Sequence, residues 1–435
     1  MAEFIKIKNS QALNKSPLRQ AALQIAESGL VAIDTKKTID ANLKIDGNKL
    51  TVGGQEYELK SGGRLLFFAV GKCAFLATSQ VINILGEKID EGVAIDVAPA
   101  PIDLPTAKIK FFSGDHPFPS AKNVEATKTL INFLSDAGPQ DFVLGIVSGG
   151  GSTLLCQPTG FDWEKEKAAV SELFKSGANI QELNTFRKHI SLARGGQLAN
   201  LIKSAESAIL IFSDVPGDNL SFISSGPTVL DETTALDARE VCNRYNVCRP
   251  DNFLPAWIIE TPKDNSIFSQ VNNFLVMSNK VALSAMIKQA ESLGFKAQIK
   301  QTAIEGEAQV IGRRLAQEIK ESPAKTAFLY GGETTVKTTG SGRGGRNQEV
   351  VLAALPLLSA DTLIMSLASD GVDNTEVAGA LADNLIIKKT KDLNLSVEDY
   401  LTNNDSFTFF EQVGGHIFTG QTGSNVSDLM LILKM

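Results

Sequence analysis

Histidine and tryptophan are nearly absent from this chain, at three and two among 435 residues. The imidazoles stand far apart, at His116, His189 and His416, so a zinc site has almost nothing to be built from. Cysteine is sparse too. Cys73, Cys156, Cys242 and Cys248 form no CxxC pair, and all four are expected as reduced thiols in a reducing compartment. No apolar run approaches the roughly 20 residues that span a bilayer. The first residues, MAEFIKIKNSQALNK, carry no apolar stretch of signal-peptide type. These absences predict a cytoplasmic protein with no membrane partner. Basic charge is also short. A formal net charge of -7 argues against a nucleic-acid partner, because a phosphate backbone needs a basic face. A small anionic ligand is not excluded, since a few local cations decide that.

What is present is a globular composition, 43% hydrophobic and 21% charged. Its length exceeds one ordinary core and predicts two domains. Ser16-Pro17 predicts a helix start, with Ser as N-cap and Pro in the first turn. Apolar residues follow at helical spacing at Leu18, Ala21, Ala22, Ile25 and Leu30. Ile45 to Lys60 alternates and turns at Asp46-Gly47, predicting a β-hairpin. From Arg64 the rhythm changes. RLLFFAVGK, KIKFFSGDHP, DFVLGIVSGGGS and SAILIFSDVPGD are short apolar runs ending in Gly, Ser, Asp or Lys. Such runs predict strands buried on both faces of a parallel sheet with crossover helices, and ligands then lie beyond the carboxyl ends of the strands. The rhythm fades near Pro250, Pro255 and Pro262. The expected domains are residues 1–250 and 251–435, the second opening with the strand NNFLVMSN.

The candidate site residues stand at those strand ends. Ser148-Gly149-Gly150-Gly151-Ser152 follows the run FVLGIV. Three glycines let backbone N–H groups face a phosphate or carboxylate. Gly340 to Glu349 interleaves glycines with Arg343 and Arg346 ahead of a helix. Arginine gives bidentate contact to phosphate oxygens, so Arg343, Gly344, Gly345, Arg346 and Asn347 are candidate phosphate ligands. It is not a Walker A sequence. Lys72 in VGKCA sits where a helix begins, a position unfavourable to a cation and suited to a transferring phosphoryl group. Asp214 in SDVPGD is placed to take a proton from a hydroxyl or help hold Mg²⁺, with Glu333 and Asp370 as further metal candidates. Arg187 adds local positive charge, and His116 and His189 are acid–base candidates.

These segments resemble the class II glycerate kinases, whose C-terminal part is called the MOFRL domain. The matching blocks are VGKCA, GDHPFPS, SGGGSTLL, ELNTFRKHIS, SDVPGDNLSFISSGPTV, GGETTVKTTGSGRGGRNQE, SDGVDNTEVAGALAD and TGQTGSNVSDL, in the family's order. The resemblance implies a Rossmann-like α/β/α N-terminal domain with a parallel sheet and a smaller α/β C-terminal domain, the MOFRL region covering about 325–435. It also implies an active site in the cleft between the domains. The implied activity is ATP- and Mg²⁺-dependent phosphorylation of D-glycerate to 2-phosphoglycerate, by a monomer or homodimer. The implied catalytic set is Lys72, Asp214 and either Arg346 or Arg343. Two alternatives stand beside it: transfer to the 3-hydroxyl, and a hydroxypyruvate reductase. The latter needs GxGxxG after a strand. Gly340, Gly342 and Gly345 have that spacing, but the preceding KTTGSG is no buried strand.

Overall fold

The structure, a computed structural model, describes residues 5–100, 108–249 and 255–435. It divides into two compact units. One comprises residues 35–213 and 218–276, and the other residues 1–34, 214–217 and 277–435. The expected boundary at 250–251 lies outside the described residues, and the first unit continues past it to Val276.

In the first unit, strands β1 (Leu43–Asp46), β2 (Lys49–Val52) and β3 (Gln55–Glu58) form a small antiparallel sheet. The expected hairpin is therefore two successive turns. The first is fixed by Gly47 at φ 59, opposite the Asp46–Lys49 pair. The main sheet follows: β4 (Leu65–Val70), β5 (Glu91–Asp96), β6 (Ile109–Ser113), β7 (Phe142–Ser148), β8 (Glu206–Phe212) and β9 (Val271–Met277). Its spatial order is β6-β5-β4-β7-β8-β9, and the pairs from β6 through β8 are all parallel. Every residue of β4 and β7 is buried, as continuous apolar runs between crossover helices require. Numbered within the sheet, the order reads 3-2-1-4-5-6, the doubly wound order whose ligand crevice opens where the winding reverses. Here the reversal falls between β4 and β7.

NNFLVMSN does not open the second domain. Most of it is β9, which completes the first sheet beside β8. The second unit instead recruits the N-terminus. Helix Pro17–Ala32 starts as expected, with Ser16 Oγ accepting from Arg19 N at 3.2 Å. It packs on helix Asn279–Ser292 at Gly29, where a β-carbon would stand 2.7 Å from Met286 Cγ. Arg19, 3% exposed, donates from Nε and Nη2 to both oxygens of Asp383, each at 2.8 Å. This buried fork and the close helix contact explain why residues 1–34 belong with the second unit rather than the first.

The second unit's sheet runs β10-β11-β15-β12-β13-β14, from β10 (Lys296–Ile304), β11 (Thr326–Gly332), β12 (Thr362–Ala368), β13 (Gly379–Asp383), β14 (His416–Ile417) and β15 (Asp428–Lys434). Only β10 and β11 pair in parallel; the rest are antiparallel. The C-terminal strand β15 is inserted between β11 and β12, so its run DLMLILK is buried almost throughout. Helix Arg346–Ala354 lies under this sheet with eight of its nine residues buried.

Two of the four cysteines differ from the expected reduced thiols. Cys73 and Cys156 are free and buried, whereas Cys242 and Cys248 are disulfide-bonded. Helix Ala235–Arg244 ends in a Schellman turn, with Asn246 left-handed at φ 54. Val247 N donates to Cys242 O at 2.9 Å and Asn246 N to Asn243 O at 3.0 Å. That reversal carries Cys248 back over Cys242.

His416, 8% exposed, packs with its ring centroid 4.6 Å from that of Phe407. Burial pushes its imidazole down to about 4. The unfolded chain takes up a proton near pH 6.5 and the folded one does not, so stability rises with pH between about 4 and 6.5 and levels off above. This group is expected to cost about 2 kcal/mol at about pH 5 relative to about pH 7. Denaturant titrations of wild type and His416→Asn at the two pH values check it: the variant should show the weaker pH dependence.

Candidate active site

At the reversal between β4 and β7 the backbone closes tightly. Lys72 N donates to Gly149 O at 2.9 Å. Gly71, at φ 127, could hold no side chain, because a β-carbon would fall 2.0 Å from Ser148 Oγ and 2.5 Å from Ser148 O. Gly150, at φ 86, lies beneath the Lys72 stem, where a β-carbon would meet Lys72 Cγ at 2.9 Å. The two loops that sequence reasoning singled out separately are thus one assembly. The chain can place them together only because β4 and β7 are neighbours with a crossover between them. Lys72 is exposed, and its amine meets no hydrogen-bond or ion-pair partner among the described residues.

The serines of this loop have internal duties. Ser148 is buried, and its carbonyl accepts from Ser224 Oγ at 2.7 Å. Ser152 Oγ and Ser225 Oγ share a hydrogen bond at 2.8 Å, and Ser225 Oγ also reaches Asn184 Oδ1 at 2.8 Å. Ser224, Ser225 and Gly226 are all left-handed, at φ 52, 58 and 56. Two such serines in sequence are strained, and strain of this kind gathers at ligand-handling loops. Helix Gly151–Leu154 is a single turn, so the expected contribution of a helix dipole is small.

Arg187 lies in the last turn of helix Ile180–His189 in the same unit. Burial, then the charge of Arg194, pulls its guanidinium down to about 10. It has no hydrogen-bond or ion-pair partner among the described residues. His116 keeps an exposed edge, yet partial burial and the charges of Lys72 and Arg187 hold its imidazole at about 4. It is therefore neutral near pH 7 and unsuited to donate a proton. His189 is fully buried, with Nδ1 2.8 Å from Thr185 O and Nε2 3.3 Å from Glu260. It is a structural histidine, not an acid–base group.

The second unit gathers the other candidates. Arg346 Nε and Nη2 donate to Asp428 Oδ2 and Oδ1 at 2.7 and 3.0 Å, while Nη1 pairs with Glu333 at 2.9 Å. Asp428 is completely buried, and burial pushes its carboxyl up to about 6 against the pull of Arg346. The start of helix Arg346–Ala354 is not open to an anion. Asp373 occupies it, accepting from Asn347 N and Gln348 N at 3.0 Å each. Asn347 is itself fully buried, donating to Asp373 and Asp428 at 3.2 and 2.9 Å. Sequence reasoning missed Asp428 and the capping role of Asp373. Neither carries a local signal, since each acts on a helix far away in sequence. Arg343 pairs with Glu376 and lies 3.9 Å over the Phe407 ring. Gly344 O accepts from Asn374 Nδ2 at 2.9 Å.

A cavity of about 490 Å³ opens in this unit beside Glu333, Thr334, Gly345, Arg346, Glu349 and Asp373. That volume suits a small-molecule ligand. Three carboxylates against one arginine, itself doubly paired, make this lining better matched to hydroxyl groups than to the polyphosphate expected there. Asp214 stands two residues past the end of β8 and belongs to this unit, where its carbonyl accepts from Ser427 Oγ at 2.7 Å. The expected metal trio is not assembled. Glu333 is engaged by Arg346, Asp370 Oδ1 accepts from Val372 N at 3.0 Å, and no cluster of three potential metal-holding side chains occurs among the described residues. These carboxylates do not fit a resident metal ion.

Residues 21–256 match the profile of a domain of unknown function, DUF4147, and residues 326–428 match the MOFRL family. Glycerate 2-kinase of Pyrococcus horikoshii is 35% identical, over 96% of this chain and 97% of its own. A protein of Agrobacterium vitis provisionally named hydroxypyruvate reductase is 37% identical, over 76% of this chain and 78% of its own. The crystal structure of glycerate kinase from Thermotoga maritima superposes with a TM-score of 0.85 at 31% identity, covering 96% of this chain and 99% of that one. The doubly wound sheet and the MOFRL unit make this an α/β protein, and its relatives named glycerate kinase make it an enzyme of the phosphotransferase class. The chain belongs to the glycerate 2-kinase family. No helix among the described residues is long and apolar enough to cross a membrane.

Proposed function

We propose that this enzyme transfers the γ-phosphoryl group of ATP to the 2-hydroxyl of D-glycerate, giving 2-phosphoglycerate and ADP. The observation that carries the reading is the unpartnered Lys72 at the sheet reversal, packed over Gly150. Phosphoryl transfer places developing charge on the equatorial and leaving oxygens, and a pre-positioned cation there lowers the barrier. In this scheme Asp214 accepts the proton of the attacking hydroxyl. The new O–P bond forms to the γ-phosphorus, and the bond to the β–γ bridging oxygen breaks. Mg²⁺ enters as part of the nucleotide substrate, where it neutralises phosphate charge.

Hydride transfer is disfavoured by the same geometry. The turn after the first sheet strand, Val70-Gly71-Lys72-Cys73-Ala74, has one glycine where a dinucleotide fingerprint needs three. The run Gly340 to Gly345 starts several residues after β11 ends at Gly332, in irregular backbone. Neither NADH nor NADPH should be consumed with hydroxypyruvate. In a D-glycerate-dependent ADP assay, Asp214→Asn is expected to lose on the order of 10²-fold or more in kcat with an unchanged melting temperature. Full turnover in that variant would remove Asp214 from the mechanism, and hydroxypyruvate-dependent NAD(P)H oxidation would favour the reductase reading.

A further inference from the structure

Arg194 is the largest fully buried side chain among the described residues. Its Nη2 donates to Glu166 Oε1 at 2.7 Å, while its Nε and Nη1 have no hydrogen-bond partner among the described residues. A buried guanidinium with idle donors costs several kcal/mol unless something compensates it. Glu166, 2% exposed, is the one carboxylate paired with it among the described residues; its other oxygen accepts from Cys156 Sγ at 3.5 Å. Arg187 lies close enough to feel both charges. Glu166 therefore pairs with Arg194 and leaves the half-buried Arg187 guanidinium without an ion-pair partner among the described residues. Glu166 and Arg187 line, with Ser152, Thr153 and Pro117, a cavity of about 10 Å³. That is room for about one oxygen-sized group, and a tetrahedral phosphoryl group is too large to enter it.

We propose that Arg187 receives the carboxylate of the substrate and that the Arg194–Glu166 pair is its positioning device, tuned to a small monoanionic carboxylate. The charge suits an anion: Arg187 has no ion-pair partner among the described residues, and the exposed Lys167 on the same cavity adds a second cation. The size matches as well, since one carboxylate oxygen fills the cavity while its partner oxygen remains outside. Arg194 acts only through Glu166, by fixing the face of the cavity against which Arg187 lies. The proposal rests on the reading of D-glycerate as substrate.

Steady-state kinetics with varied D-glycerate at saturating ATP, and the converse, test it. Wild-type turnover of D-glycerate comes first; its absence defeats the parent reading. Given turnover, Arg194→Lys keeps the charge but loses the planar guanidinium that holds Glu166 from Nη2. It is expected to raise KM for D-glycerate by about tenfold or more while kcat and KM for ATP stay within about threefold. A merely structural role would lower kcat or move both KM values together, and that result overturns the proposal, as does an unchanged KM for D-glycerate. Should Arg194→Lys fail to fold, Arg187→Lys decides by the same readout, because its partly exposed side chain anchors no other group.

Discussion

Lys72→Ala is expected to lower kcat by on the order of 10³-fold while leaving the fold intact, because the lysine serves the phosphoryl group and not the scaffold. Its loop is held by the backbone bond from Lys72 N to Gly149 O and by the closeness of Gly71 to Ser148. None of that involves the amine. The amine itself meets no partner among the described residues, so its removal strands no buried group and little stability is at stake. Lys72→Arg should recover only part of the rate, since the broader guanidinium cannot occupy the same point above Gly150. Kinetics paired with thermal denaturation check both variants. A kcat near wild type for Lys72→Ala would remove the central cation from the mechanism. A large drop in melting temperature would show that the side chain holds the loop.

The second large effect concerns the two arginines of the glycine-rich loop, which are not equivalent. Arg346→Ala is expected to destabilise the protein by about 3–5 kcal/mol, because it leaves the completely buried Asp428 without its bidentate partner. Asp428 also accepts from Asn347 Nδ2, and Asp373 ties the same helix start, so the damage should spread through the entry to helix Arg346–Ala354. Arg343→Ala should cost about 1 kcal/mol or less, the range for an exposed ion pair with a ring contact. Its side chain is 55% exposed and its partner Glu376 is 54% exposed. Chemical denaturation of the two variants side by side gives the comparison. Equal stabilities would mean that the Arg346–Asp428 fork contributes nothing to the fold. A fully stable but inactive Arg346→Ala would assign Arg346 to catalysis alone.

The contrast between these arginines marks how far the sequence is informative. Buried parallel strands announce themselves, because β4, β7 and β8 must be apolar on both faces and must end where ligands bind. Ser16 and Pro17 likewise write a helix start into adjacent residues. Local chemistry of this kind was legible, and so was the list of cations at strand ends. What was not legible depends on partners far apart in the chain. Arg19 reads as an ordinary helix residue until Asp383 is beside it. The strand Val271–Met277 is apolar enough for either sheet, and only pairing order assigns it to the first. The loop around Arg346 looks open until Asp428 and Asp373 close on it from residues 82 and 27 positions away (428 − 346 and 373 − 346). The turn that joins Cys242 to Cys248 rests on one left-handed asparagine, a weak signal in a short polar segment.

Phosphoryl transfer from ATP to the 2-hydroxyl of D-glycerate can be tested in one assay. The most direct measurement supplies the full-length enzyme with ATP, Mg²⁺ and D-glycerate, follows ADP release, and then offers the product to enolase alone. The account predicts D-glycerate-dependent ADP release and a product that enolase consumes directly. A product that enolase takes only after phosphoglycerate mutase would move the phosphate to the 3-position and contradict the regiochemistry. No ADP release would contradict the claim itself.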